Sequence, residues 1–200
     1  MEAVFEPIKR APTSRRALLI TPFAFAGLIA ITTRKGRDSE PEASATAIDG
    51  EVTVIRFSDK GESLGPARVN KVVHSGSEWR RLLTAEQFYV LRQGGTDTAF
   101  TGTYFQNHER GIYRCAGCRD ALFSSQTKFD SDTGWPSFWA PLAEENIYTR
   151  RDTSLTVERV EVLCRRCDSH LGHVFNDGPE PTYLRYCMNE SALSFCASAD

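Results

Sequence analysis

Six cysteines carry most of the chemistry legible in this 200-residue chain: Cys115, Cys118, Cys164, Cys167, Cys187 and Cys196. The first four form two Cys-x-x-Cys pairs. Each short loop turns two thiolates toward one side of a metal, and two such loops complete the tetrahedral four-cysteine site that suits a structural zinc ion. Residues 119–163 separate the pairs, so the metal would staple two distant parts of one domain. Three disulfides are the competing pattern, but Cys-x-x-Cys disulfides are generally redox-active rather than structural.

Two thiols remain. Cys187 lies in Arg185-Tyr186-Cys187-Met188-Asn189. On a strand, Arg185, Cys187 and Asn189 share a face, where the guanidinium favours the thiolate and the amide can donate a hydrogen bond. An inert buried thiol is the alternative. His170 and His173 follow the second cysteine pair at once. Four thiolates already saturate a metal, so these imidazoles read as acid–base groups, with a mixed metal site as the other reading. Trp135, in Gly134-Trp135-Pro136-Ser137-Phe138, is flanked by residues typical of loops and is expected to line a pocket, with simple packing as the alternative.

The elements that must hold these groups are mostly strands. The chain is 40% apolar with 12 Phe, 6 Tyr and 3 Trp, which is enough bulky material for a core. Its net charge of −2 offers no basic field for nucleic acid. Val52–Phe57, Ile112–Cys115, Ala121–Phe123, Ser154–Leu163 and Tyr183–Phe195 read as strands. Ser77–Gln93 reads as helical: Ser77 caps it, Trp79, Leu82 and Leu83 share a face, and Thr84 with Gln87 restarts a second helix as a capping box. Neither β–α–β alternation nor a phosphate-cradling glycine motif is present, which excludes a parallel nucleotide-binding sheet. The expected fold is mainly antiparallel β with one or two short leading helices.

The N-terminus has a different texture. Ala17–Thr33 is an uncharged apolar run preceded by Ser14-Arg15-Arg16-Ala17-Leu18-Leu19, which resembles a twin-arginine export signal. Residues 1–33 are therefore expected to be an export signal or membrane anchor leading outside the cytoplasm. Residues 34–47 read as a flexible tether and 48–200 as one folded domain. Small-x-small sites occur only well downstream, at Ala43-Ser44-Ala45 and Ala45-Thr46-Ala47, so an uncleaved anchor is the alternative to a cleaved signal.

Over residues 77–195 several ordered motifs resemble the B-type methionine sulfoxide reductases. They are Gly111-Ile-Tyr-Arg-Cys115-Ala-Gly-Cys118, Lys128-Phe-Asp-Ser, Gly134-Trp-Pro-Ser-Phe138, Arg159-Val-Glu-Val-Leu-Cys164-Arg-Arg-Cys167, His170-Leu-Gly-His-Val-Phe-Asn-Asp-Gly-Pro179 and Arg185-Tyr-Cys-Met-Asn189. The resemblance implies reduction of the R epimer of methionine sulfoxide in oxidised proteins or peptides, in the service of oxidative-stress repair. It implies a mainly β domain of two antiparallel sheets stapled by a structural zinc held by four cysteines, Cys115, Cys118, Cys164 and Cys167. It makes Cys187 the nucleophile and Trp135 the wall for the substrate methyl group. His173, oriented by Asp177 and helped by His170, would protonate the oxygen, with Arg185 lowering the thiol pKa and Asn189 supporting the pocket. Cys187 would leave the reaction as a sulfenic acid. The resolving cysteine of many relatives falls at Thr133 or Thr101, and both are threonine here. Regeneration then falls to Cys196, if a turn near Asn189-Glu190-Ser191 brings it back, or to a thioredoxin-like reductant acting directly. Relatives also tend to carry Gly at Tyr183 and Ser at Glu190. Nothing in this constellation requires a second subunit. A non-catalytic zinc-ribbon binding module and a thiol–disulfide oxidoreductase are the competing readings.

Overall fold

The computed structural model describes residues 50–154 and 157–198, so the expected export segment and tether lie outside the described residues. Alternating residues in β1 (Glu51–Phe57) and β2 (Ser63–Asn70) pair as an antiparallel hairpin. Two short helices follow, α1 (Gly76–Leu82) and α2 (Ala85–Gln93). The rest is antiparallel sheet. One sheet has three strands in the order β11-β3-β4, made of β3 (Gly111–Cys115), β4 (Ala121–Ser124) and β11 (Leu193–Ala197). The other has six strands in the order β5-β6-β10-β9-β8-β7. Its members are β5 (Lys128–Phe129), β6 (Ser137–Phe138), β7 (Ile147–Asp152), β8 (Arg159–Cys164), β9 (His170–Phe175) and β10 (Arg185–Met188). The fold is thus the expected mainly β one, with the first hairpin as a separate addition.

Several local readings are corrected. Ser75, not Ser77, caps α1. Its hydroxyl accepts from the Glu78 amide at 3.3 Å while the Glu78 carboxylate accepts from the Ser75 amide at 2.8 Å. Only Ser75 has an acidic residue three positions on, and that reciprocity decides the start. Thr84 and Gln87 form the expected second box. Leu82 is exposed, because the backbone turns extended at Leu83 and leaves Trp79 and Leu83 to face the core. The expected strand Ser154–Leu163 begins only at Arg159. Tyr183–Phe195 is broken by a 3-10 turn at Glu190–Ala192, so β10 and β11 enter different sheets. Strands β2, β7 and β9 carry too many polar or glycine residues to be read from alternation.

Aromatic side chains tie the two larger sheets together. Tyr113 and Phe123 from the three-stranded sheet meet Phe138 from the six-stranded one, with Phe123 stacked on Phe138 at 4.5 Å and Tyr113 edge-on to it at 5.0 Å. All three are fully buried, and truncating such a ring to alanine costs about 3–5 kcal/mol. Buried Asn146 fastens the hairpin to this body. It accepts from the Ile55 amide at 2.8 Å and donates to the Ile55 and Ala121 carbonyls at 2.9 and 2.7 Å.

Candidate active site and four-cysteine centre

The two Cys-x-x-Cys loops are built alike. In each, the first cysteine's carbonyl accepts from the residue after the second cysteine, Arg119 N–H at 2.8 Å in one loop and Asp168 N–H at 3.0 Å in the other. Both of those residues take left-handed backbone, φ 67° and 55°, which curls the loop tightly enough to aim two sulfurs at one point. All four sulfurs lie within 4.8 Å of one another. Cys115 and Cys167 are 3.6 Å apart and Cys118 and Cys164 are 3.5 Å apart. A tetrahedron with metal–sulfur bonds of about 2.3 Å has edges of about 3.8 Å, so this cage fits one metal ion. Arg92 from α2 donates to the Cys167 carbonyl at 2.8 Å, and Lys71 pairs with Asp168 at 2.6 Å. Helix and hairpin thus both brace the second loop.

Cys187 lies on β10, in the interior of the six-stranded sheet. Its register partners are Ser137 on β6 and His173 on β9. The Thr133 hydroxyl is 3.9 Å from its sulfur, and Ser131 links Thr133 to Ser137 at 2.8 and 2.7 Å. Burial pushes the Cys187 thiol above its ordinary pKa, opposed by Thr133 and by the Arg185 guanidinium. Arg185 therefore acts in the expected direction, but burial outweighs it. Cys187 helps to line a pocket of about 100 Å³ together with Trp135, Arg159, His173, Phe175 and Asn189. Of the residues expected at the site, Trp135, His173, Cys187 and Asn189 thus line one small cavity, and His170, Asp177, Arg185 and Cys196 do not.

Two carboxylates that the sequence reading passed over organise the histidines. His173 Nε2 lies 2.8 Å from Asp152 on β7, and Asp152 also receives Arg159 at 2.7 Å. Hydrogen bonds from Ser154, His173 and Arg159 hold the Asp152 carboxyl well below the usual carboxylate range. Burial pushes His173 below its ordinary pKa, and Asp152 works against that shift. His170 Nδ1 lies 2.8 Å from Glu161, which Arg150 grips through Nε at 2.9 Å and Nη2 at 2.7 Å. The two imidazole rings stand 5.3 Å apart.

Asp177 does not orient His173. It forms a two-pronged pair with Arg185 at 2.8 Å in both contacts. The reason is register: β9 ends at Phe175, which pairs with Arg185, so the turn beyond it delivers Asp177 to Arg185 while His173 faces β8 and β7. Arg185 also covers the Phe175 ring at 4.4 Å. Nor is Cys196 brought to Cys187. The chain turns at Glu190–Ala192, but β11 goes on to pair with β3, and the Cys196 sulfur meets Arg119 Nη2 at 3.7 Å.

A clamp of three consecutive residues sets the position of Trp135. Asn189 Oδ1 accepts from the Asp97 amide at 2.9 Å, and the Ser191 amide donates to Asp97 Oδ2 at 2.8 Å. Between them, Glu190 accepts from the Thr103 and Tyr104 amides at 2.6 and 2.7 Å. The loop so held presents the Asp97 carbonyl to Trp135 Nε1 at 3.0 Å. A side chain at Gly102 would collide with the Glu190 carboxylate, so the clamp needs glycine there. Asn189 is itself buried, 3% exposed, and donates to the Leu171 carbonyl at 3.2 Å. Tyr183, exposed, takes φ 59°, the left-handed region that favours glycine.

The site therefore combines a thiol, an imidazole backed by a carboxylate and an aromatic wall around a cavity sized for a few heavy atoms. That set suits nucleophilic attack with proton delivery to a departing group. Comparison with known proteins agrees. A family model described as the SelR domain matches residues 83–197. A protein of Methanosarcina mazei named peptide methionine sulfoxide reductase MsrB is 50% identical over 131 residues, covering 66% of this chain and 94% of that one. Proteins with the same name from Leptospira interrogans and Thiobacillus denitrificans are 50% identical over 127 residues and 55% over 119, covering 64% and 60% of this chain and 95% and 90% of theirs. Neither a non-catalytic zinc ribbon nor a thiol–disulfide oxidoreductase using one Cys-x-x-Cys pair accounts for this match together with a pocket shared by Cys187, His173 and Trp135. The chain belongs to the MsrB family of oxidoreductases and carries its SelR domain.

Proposed function

We propose that this protein reduces the R epimer of methionine sulfoxide in oxidised proteins and peptides. The observation that carries the reading is the shared cavity: Cys187, His173 and Trp135 line the same 100 Å³ pocket. A sulfoxide oxygen leaves only when protonated. The Cys187 thiolate attacks the sulfoxide sulfur, His173 supplies a proton to the oxygen, and Asp152 stabilises the imidazolium needed for that step. The oxygen passes to Cys187 as a sulfenic acid and methionine departs, so the substrate is reduced by two electrons and the cysteine oxidised by two. With the methyl group against Trp135 and the oxygen toward His173, only one configuration at sulfur fits, which supports selectivity between epimers. A dithiol reductant of thioredoxin type then attacks the sulfenic acid directly. Water leaves, a mixed disulfide forms, and the reductant's second thiol frees Cys187. The placement of Cys196 on the other sheet favours this route over an internal one.

Following the two epimers of a blocked methionine sulfoxide by chromatography, with a dithiol reductant, tests the reading. Loss of the R epimer alone is expected. Consumption of the S epimer at a comparable rate, or of neither by folded metal-loaded protein, overturns it.

Zinc is the metal proposed for the four-cysteine cage, since four thiolates in a tetrahedron match its preference. Residues 1–33 are proposed to carry the domain out of the cytoplasm or anchor it to a membrane, with 34–47 as tether. Fusing residues 1–47 to a fluorescent protein in a bacterial host should move it out of the cytoplasm. Replacing both Arg15 and Arg16 by Lys should retain it inside, and export unaffected by that change would sink the twin-arginine reading.

A further inference from the structure

We propose that a second groove, which shares Trp135 with the Cys187 pocket, docks the polypeptide around the methionine sulfoxide and favours segments with a lysine or arginine beside that residue. This rests on the reductase reading and adds the class of sequence it selects. The Cys187 pocket holds only the end of a methionyl side chain, so the rest of a peptide must lie on adjoining surface. Of the further cavities that share Trp135, the larger, of about 650 Å³, is lined by Phe100, Phe105, His108, Asp130, Asp132 and Trp135.

Its apolar wall is held in an unusual way. Phe100 is 61% exposed and adopts φ 63°, left-handed backbone that a bulky residue rarely takes. Its amide donates to the Gly134 carbonyl at 3.0 Å, and its ring stands edge-on to Phe105 at 5.6 Å. Gly134, at φ 85°, lets the Phe100 ring approach where a side chain would collide. The fold thus fixes an aromatic ring in solvent beside the residue expected to meet the substrate.

The rim is acidic. Asp130 and Asp132 are exposed, and Asp132 has no ion-pair partner among the described residues. Lys128 Nζ approaches Asp130 at 4.0 Å, but its side chain is only 5% exposed and donates to the Phe105 carbonyl at 2.9 Å, so that cation lies beneath the surface. His108 Nε2, 3.8 Å from Asp130, is the remaining ionisable group on the rim. An aromatic wall beside two outward carboxylates suits a polypeptide carrying a long cationic side chain, whose stem packs on the ring while its head meets the acids.

The experiment compares kcat/KM for three peptides of equal length in which Lys, Ala or Glu flanks an R-methionine sulfoxide on both sides, alongside the blocked single residue. The order Lys above Ala above Glu is expected, with about a fivefold span carried mainly by KM and shrinking in high salt. Asp130→Asn with Asp132→Asn should bring the three peptides within about twofold of one another and leave the blocked residue unchanged. Equal turnover of the peptides, or a Lys preference that survives the double variant, overturns the proposal while normal turnover of the blocked residue keeps the reductase reading. An effect of the double variant on the KM for a thioredoxin reductant alone also overturns it and assigns the groove to the reductant. Failure to reduce even the blocked residue removes both.

Discussion

Replacing Cys187 by serine is expected to lower turnover of the R epimer by more than about 10⁴-fold, with thermal unfolding unchanged within about 2 °C. Serine keeps the shape at a half-buried position but removes the atom that accepts oxygen, so chemistry and not packing is lost. The pH profile of the wild type carries more information. Burial raises the Cys187 thiol and lowers His173, so the dominant form at neutral pH is thiol with neutral imidazole. The reactive thiolate–imidazolium pair holds the same number of protons, so kcat/KM should be flat between the two titrations and fall on either side. Asp152→Asn separates positioning from packing in the same assay. Asp152 raises His173, so its loss should shift the acidic limb to lower pH and lower the plateau by about 10²-fold. An unmoved limb with intact turnover would show that Asp152 does not act through His173.

Loss of the metal should be the largest stability effect. The native protein should contain one zinc per chain, measured by plasma mass spectrometry. Cys118→Ser should contain almost none and unfold at least about 10 °C lower, because binding free energy in such cages is folding free energy. Cys118 is the least buried of the four ligands, so its replacement tests the metal and not a cavity. A metal-free variant with an unchanged melting temperature would overturn the structural role. The cage joins β3 and the loop after it to the end of β8, two segments otherwise held in different sheets. Its loss should therefore loosen the core between the sheets before it reaches Cys187.

Much of the site was legible from spacing. The repeated Cys-x-x-Cys pattern defines a ligand set whatever the intervening fold, because each loop makes its own turn. Arg185 and Cys187 share a face of β10, which follows from the period of two, while Asn189 lies one residue beyond the end of the strand. The reciprocal Thr84–Gln87 box likewise marks a helix start from four residues alone. These are local relations, and local chemistry suffices to specify them.

Asp152, Glu161 and Asp97 were not legible, for one physical reason. Their roles come from register between strands, or between a loop and a turn, that are distant in sequence. Alternation in Arg159-Val160-Glu161-Val162 fixes the period but not which face is turned inward, and a charged face is ordinarily read as solvated. Here β8 is covered on both faces from Glu161 onward: Val162 is fully buried, and Glu161, only 8% exposed, meets His170. Asp177, expected beside His173 from the family resemblance alone, is held by Arg185 instead, because Phe175 pairs with Arg185. Cys196 was likewise displaced when β11 paired with β3. Spacing within a few residues was enough to mark four cysteines able to share a metal and to put Arg185 on the strand face of Cys187. Only the tertiary structure decided which carboxylate serves which base and which thiols remain apart, because strand pairing and not chain proximity sets those distances.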